Sequence, residues 1–372
     1  MSTVQQIKQK NEKIKRRYLE FKAEADGFSS KSILALEKAL WKFDDCTLSQ
    51  DYAKFNKQTA LNFKKYLTNH KNEKSKKILS LRSQYHHLRF IKDFFTWLSG
   101  EPGYKSRINH SDIMYLQLSK KDRQQATSPG LPKMPTLEQV KSLCSFPVNN
   151  EIDRRDRAMI AFLALSGVRD QAFVTLNIGS FDLNNNEVNQ LPKFGVQTKY
   201  NKDIYTTVMK IDNELYEYFI DWYQHLTKER KFGLQDPLFP ATLIDHIGPN
   251  NHTYEAKGVS KKFWSDASSV RKIIKERAKQ TNTDYFYPHA FRHFYTHEIE
   301  THSTTVEQLK ALSQSLGHEH ISTTFSAYGN MSPRKVNDVM RSIDLSKSIS
   351  QSPEVTPELI AQIIQTIKNQ KT

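Results

Sequence analysis

The stretch Tyr287-Pro-His-Ala-Phe-Arg-His293 reads as the start of a helix that carries two reactive side chains on one face. Pro288 suits the first helical position, where its missing N–H has no intrahelical partner to lose and its fixed φ is already helical. His289 and Arg292 stand three residues apart and therefore share a face. A guanidinium fork beside an imidazole matches the two non-bridging oxygens of a phosphodiester. His293 and His297 follow at a spacing of four, which metal sites also use. No HExxH pattern forms, however, and no acidic ligand cluster follows.

Three further segments extend this reading outward. Downstream, Leu316-Gly-His318 reads as a helix end, with Gly317 in the capping position and His318 opening a new turn. Tyr328 stands ten residues beyond it, followed by a glycine. Upstream, the apolar run at residues 158–165 stops at Ser166-Gly167, and Arg169 lies where the next helix begins. An arginine there can reach an anion at the helix N-terminus. Between these segments, residues 184–186 form a turn signal. The sequence QTKYNKDIYTTVMKI (197–211) reads as a β-hairpin with Lys199 and Lys202 near its turn. Helices are expected at residues 214–226, 260–280, 288–299 and 306–315.

Charge and composition bound the rest. The chain has 372 residues, 55 Lys and Arg against 40 Asp and Glu, and only two cysteines, Cys46 and Cys144. Two cysteines far apart exclude a disulfide framework or a CxxC-type zinc site. The mean hydropathy is −0.67, and no apolar run approaches the length of about 18 residues that a membrane span needs. The amino-terminal stretch has no apolar segment of the secretory type. A reduced, cytoplasmic protein is expected. Residues 1–134 hold 27 Lys and Arg against 13 Asp and Glu, whereas residues 135–372 hold 28 against 27. So local an excess favours a polyanion, and nucleic acid above all. No glycine-rich phosphate loop is present, so ATP use is not indicated.

The composition shifts at SPGLPKMP (128–135), a linker by its proline and glycine content. Upstream the pattern is helical. Residues 3–25 are polar with sparse apolar positions and read as an exposed helix or a partly ordered arm. Helical spacing improves over Ile33, Leu34, Leu36, Leu40, Trp41 and Phe43, then over Tyr52, Phe55, Ala60, Phe63 and Tyr66. A third helix over residues 78–98 carries Leu88, Ile91, Phe95 and Leu98 on one side. Aromatic residues at this period read as core, with Lys and Arg on the faces between them. The expected fold is mainly α with a small antiparallel β-sheet. Its parts are a basic arm at 1–28, a helical unit at 29–125, a linker at 126–135, an α+β unit at 136–346 and a tail helix at 347–372.

Taken together and in order, Arg169, a hairpin lysine, His289-Ala-Phe-Arg292, Leu316-Gly-His318 and Tyr328 resemble the tyrosine recombinase (phage integrase) family. The segment from Thr136 to Leu176, with its Arg155-Asp-Arg-Ala, also looks like the family's approach into its catalytic domain. The helical first third matches the family's core-binding domain in kind. Two positions depart from the family pattern. Ala172 stands where an acidic residue usually follows the first arginine by three, with Asp170 nearby, and the separation of His318 from Tyr328 is one residue longer than the commonest. Aligning Thr198-Lys-Tyr-Asn-Lys with the family's Gly-Lys-Gly-x-Lys favours Lys199 over Lys202.

The resemblance implies a site-specific recombinase or integrase acting on duplex DNA through a covalent 3′-phosphotyrosine. The catalytic set would be Arg169, Lys199, His289, Arg292, His318 and the nucleophile Tyr328, with neither a metal nor another cofactor. It further implies a homo-tetramer on two DNA sites, working on the nucleoid in the cytoplasm. The tail PEVTPELIAQIIQTIKNQ (353–370) places Leu359, Ile360, Ile363, Ile364 and Ile367 on one side of a helix. That helix can pack on its own domain or in trans on a neighbour. The same chemistry would serve a type IB topoisomerase, and the same basic domain a DNA-binding protein without activity.

Overall fold

The computed structural model describes residues 3–71, 77–128, 130, 132–247, 253–303 and 306–317. The chain divides into two compact units, Met1–Ser128 and Pro129–Thr372.

The first unit is helical: α1 (Thr3–Glu24), α2 (Ser30–Thr47), α3 (Lys57–Asn69), α4 (Leu81–Gly100), α5 (His110–Ile113) and α6 (Lys120–Thr127). Local polar residues set where these helices begin. Ser29, Asn56, Ser80 and Ser119 each accept the backbone N–H three residues on, as N-caps. The core is aromatic, with Phe43, Phe63, Phe94 and Phe95 buried and Phe55 stacked on Phe95 at 3.9 Å between ring centroids. The spacing of Leu88, Ile91, Phe95 and Leu98 is fulfilled, since all four are buried, whereas Leu34 and Trp41 of α2 face solvent.

Helix α1 departs from the expectation of an exposed arm. Ile14 and Tyr18 are buried in the same core, and the Tyr18 hydroxyl donates to Asp93 at 2.7 Å. Leu19 packs against that core as well, and ion pairs satisfy much of the polar remainder. Lys15 reaches Asp44 at 2.7 Å and Lys22 reaches Asp93 at 2.6 Å, both lysines almost wholly buried. Lys10 meets Asp51 at 2.9 Å. The polar run at 120–127 is likewise ordered as α6, and Arg82 donates to the carbonyls of Ala126 and Ser128 at its end.

The second unit is built around α8 (Glu151–Ser166), whose residues from Ala158 onward are all buried. Helix α7 (Leu137–Cys144) begins at a capping box of Thr136 and Gln139. After α9 (Asp170–Phe173), strands β1 (Phe181–Asp182), β2 (Glu187–Gln190) and β3 (Ile204–Thr207) form an antiparallel sheet in that order. Val188 pairs with Thr206 and Gln190 with Ile204. The partner of β3 is therefore β2, upstream of the hairpin arm expected at residues 197–198. Pro192 has no N–H for a ladder, and the Gln197 N–H donates to Thr175 Oγ1 at 2.9 Å instead of to a strand. Residues 191–203 consequently form a long connection with a short 3-10 turn at Lys199–Asn201.

Helix α10 (Asn213–Gln224) packs on α8 and closes the aromatic core of Phe162, Phe173, Phe219 and Phe239. A second hairpin, β4 (Thr242–Ile247) with β5 (Thr253–Val259), was not expected. Its ladder continues through Ser260 and Lys262, whose backbones pair with Ala241, so α11 starts at Ser268 and not at 260. Arg155 donates to Asp156, to the Pro240 carbonyl and to Thr242. Arg277 of α11 (Ser268–Gln280) donates to Asp153 and Asp156. The motif at 155–158 thus ties α8 to its neighbours. Helices α12 (Pro288–His302) and α13 (Val306–Ser315) complete the unit. No helix among the described residues is long and apolar enough to cross a membrane.

Candidate active site

Gly167 ends α8 with φ of +58°, and its N–H donates to Leu163 O at 3.1 Å. A Cβ at that position would lie 2.8 Å from the Tyr295 ring, so the left-handed backbone and the close approach both call for glycine. The turn delivers Arg169 to the N-cap of α9. Its neighbour Asp170 is bound to Arg271 of α11 at 2.5 Å, and Ala172, where an acid was missing, is buried in the core.

Helix α12 begins at Pro288 as expected. His289 lies on its exposed side, and its pKa is held below the ordinary imidazole value. Desolvation by the protein backing the ring is the first cause. The cationic Arg292 and Arg169 act in the same direction, and Asp170 opposes them. His289 is therefore neutral near pH 7, the form that accepts a proton. Its ring meets that of His293 edge to face at 4.7 Å.

Arg292 is buried, with 3% exposure. Its Nη1 donates to the Gly167 carbonyl at 2.9 Å and its Nη2 to the Leu316 carbonyl at 2.5 Å. Gly167 lies two residues before Arg169, and Leu316 two before His318. One guanidinium thus fastens both flanking motifs to the helix that carries His289. Position 318 and Tyr328 themselves lie outside the described residues, as does the tail at 353–370.

Strand β3 holds the same corner from the other side. Gln190 Nε2 donates to Thr206 Oγ1 at 2.8 Å, and Thr206 Oγ1 donates to the Ser315 carbonyl at 2.7 Å. Gly317 has φ of +65°, and a Cβ on it would fall 2.6 Å from Ile204 Cδ1. The Tyr295 hydroxyl donates to the Thr207 carbonyl at 2.9 Å. Gln190, Thr206 and Tyr295 carried no signal of this in the sequence. Each reads there as an ordinary strand or helix residue.

Both candidate lysines lie on the β2–β3 connection. Gln197 is held to Gln171 of α9 and to Thr175 beyond its end, and Thr198 Oγ1 donates to the Lys202 carbonyl at 2.6 Å. The ammonium of Lys199 is 4.8 Å from the Tyr200 ring and that of Lys202 5.9 Å. Among the described residues, no group of three or more His, Cys, Asp or Glu is arranged to hold a metal ion.

The phage integrase family model matches residues 134–334, more than half of the chain. The chain belongs to the phage integrase family. The matched range contains Arg169, both lysines, His289, Arg292, His318 and Tyr328. Among curated relatives, the chain is 27% identical over 242 residues to the tyrosine recombinase XerC of Roseiflexus castenholzii, covering 63% of each chain. It spans between 52% and 63% of the length of the first such relatives. Among solved structures, the fold resembles a lambda integrase (75-356) dimer bound to a COC′ core site, with TM-score 0.59 and 10% identity over 91% of this chain and 99% of that one. It also resembles the Tn1549 transposon integrase in complex with circular intermediate DNA, with TM-score 0.54 and 14% identity over 88% and 98%. In phage integrase terms, the fold is a helical unit followed by a mainly helical catalytic unit with small antiparallel sheets.

Proposed function

We propose that the protein is a site-specific DNA recombinase that cuts and rejoins strands through a covalent 3′-phosphotyrosine. The single observation that carries this reading is the Arg292 bridge, because it gathers the segments of Arg169, His289 and His318 around one point.

The chemistry follows from the groups gathered there. A tyrosine hydroxyl with a pKa of about 10 is a poor nucleophile at neutral pH. Arg169 and Arg292 offset the charge that builds on the scissile phosphate, and His318 donates to one of its oxygens. Tyr328 attacks phosphorus while neutral His289 accepts its proton. The bond to the 5′ oxygen breaks, and Lys199 protonates that leaving oxygen. The phosphotyrosine conserves the bond energy, so a 5′-hydroxyl from another strand can attack it and restore the phosphodiester.

The solved relatives bound to a core site and to a circular intermediate support DNA as the partner. In this reading the first unit grips duplex backbone, the segment at 126–135 links it to the catalytic unit, and four copies assemble on two sites. The tail at 347–372 joins neighbours in trans or packs on its own domain. The test is incubation with a suicide-nicked duplex built on a site that the protein selects from a randomised library. A covalent adduct is expected from the native chain and none from Tyr328→Phe. An adduct that survives Tyr328→Phe refutes the nucleophile. Relaxation of any plasmid regardless of sequence points to a topoisomerase instead.

A further inference from the structure

We propose that Tyr200 is a base-stacking residue, which holds the terminal base of the strand released with a 5′-hydroxyl. The proposal rests on the reading above that Lys199 serves that same 5′ oxygen.

Tyr200 is 71% exposed, more than any other aromatic side chain among the described residues, and it belongs to neither hydrophobic core. Its backbone is left-handed, with φ 60° and ψ 22°, and Asn201 follows at φ 55°. Glycine adopts that conformation freely, whereas a tyrosine there is strained. The hydrophobic cores therefore gain nothing from the ring, and the backbone would be easier without it. What the loop does provide is a fixed placement. Residue 197 is tied to Gln171 of α9 and to Thr175, the turn is closed by Thr198 on Lys202, and Ile204 abuts Gly317. The exposed ring is thus carried between an anchor on α9 and one at Gly317.

The company of the ring indicates the ligand. The ammonium groups of Lys199 and Lys202 lie 4.8 and 5.9 Å from its centroid. The same connection repeats the pairing with Lys193, 5.1 Å from the ring of Phe194, which is 51% exposed. Aromatic faces interleaved with cations are the composition that holds single-stranded nucleic acid, where bases stack and phosphates meet lysines. A paired base inside a duplex offers no free face. The base next to a freshly broken 5′ bond does, and Lys199 would sit at that bond.

The test uses the full chain and the suicide-nicked duplex, with 2-aminopurine as the 5′-terminal base of the released strand. The native chain and Tyr200→Phe should quench its fluorescence once the adduct forms, while Tyr200→Gly should leave it bright. Rejoining by Tyr200→Gly should need a 5′-hydroxyl strand concentration roughly 5- to 150-fold higher, the equivalent of one stacked base. Its melting temperature should be unchanged or higher, because glycine relieves the backbone. Equal quenching by Tyr200→Gly, or a lower melting temperature, overturns the proposal. The adduct is read on a gel in the same reaction. If no adduct forms, the underlying recombinase reading falls and this proposal with it; an adduct without a quenching difference removes the stacking role alone. A 5′-bridging phosphorothiolate, whose leaving group needs no acid, checks the lysine separately by restoring cleavage to Lys199→Ala.

Discussion

Arg292 holds the Gly167 carbonyl at 2.9 Å, across 125 positions of sequence, and with its other terminal nitrogen holds Leu316. Both acceptors are backbone atoms, so the contact fixes the path of the chain and does not depend on neighbouring side chains. Lysine cannot reproduce a two-pronged grip of this kind. Arg292→Lys should leave one buried carbonyl unsatisfied, at a cost of about 1–3 kcal/mol. Thermal unfolding should register that loss, and single-turnover adduct formation should fall further than the change in stability explains.

Gly167→Ala should be more damaging than most glycine substitutions. The new Cβ would sit 2.8 Å from the Tyr295 ring at a φ of +58°, adding overpacking of about 1–3 kcal/mol to the backbone strain. Tyr295→Ala removes the clash but not the strain. A double-mutant cycle in urea should therefore show partial rescue, with a coupling of about 0.5–3 kcal/mol as for residues in contact. Strict additivity would contradict the contact.

Cleavage should depend on pH through His289. Its pKa is depressed by burial, by Arg292 and by Arg169, and in the proposed reaction the neutral form accepts the proton of Tyr328. The single-turnover rate should rise with pH through an apparent pKa below the ordinary imidazole value and be level near neutrality. Arg169→Gln removes a neighbouring cation that disfavours protonation, so the acid limb should move to higher pH. A limb that moves to lower pH would reverse the assigned cause.

His293 should make the fold acid-sensitive. Burial, with His289 and Arg292 adding to it, lowers its pKa to about 4. The unfolded chain, at about 6.5, then binds the proton first as pH falls. Stability is fully present above about pH 6.5 and is lost as pH falls toward 4, by up to roughly 3 kcal/mol. Urea unfolding at pH 7 and pH 4.5 should show this loss, and His293→Gln should flatten the dependence.

Salt should separate the lysines of the first unit. Lys15 is buried against Asp44, whereas Lys65 is exposed. If this unit grips DNA backbone, Lys65→Ala should lower the slope of log affinity against log salt by about one, the effect of one phosphate contact. Lys15→Ala should leave the slope unchanged and lower the melting temperature. Filter binding over a salt series checks both.

Much of this was legible in the sequence because the signals were local. Pro288 at a helix start and the glycine at 167 each act within a few residues of themselves. Periodicity likewise found the core of α4. The β2–β3 pairing was misread because the strand pattern continues past residue 197, and only a tertiary contact, Thr175 with Gln197, diverts that backbone. The β4–β5 hairpin was missed although Gly248-Pro-Asn-Asn separates two strand-like runs. Helix α1 misled for another reason. Its lysines count as surface charge in a sequence, but the groups that neutralise them arrive from elsewhere in the unit: Asp44 and Asp93 from α2 and α4, and Asp51 from the α2–α3 connection. In the site, motif residues were visible by type and order, while Gln190, Thr206 and Tyr295 act by position alone.

Strand β3 has a further consequence. Its first residue, Ile204, supports Gly317, Thr206 holds the Ser315 carbonyl, and the lysine-bearing connection runs directly into its start. The connection that carries both candidate lysines and the turn that leads to position 318 are thus held by one strand. If Lys199 and His318 act as proposed, sliding this strand by a residue should disturb both together, so two parts of the chemistry far apart in sequence would be lost as one.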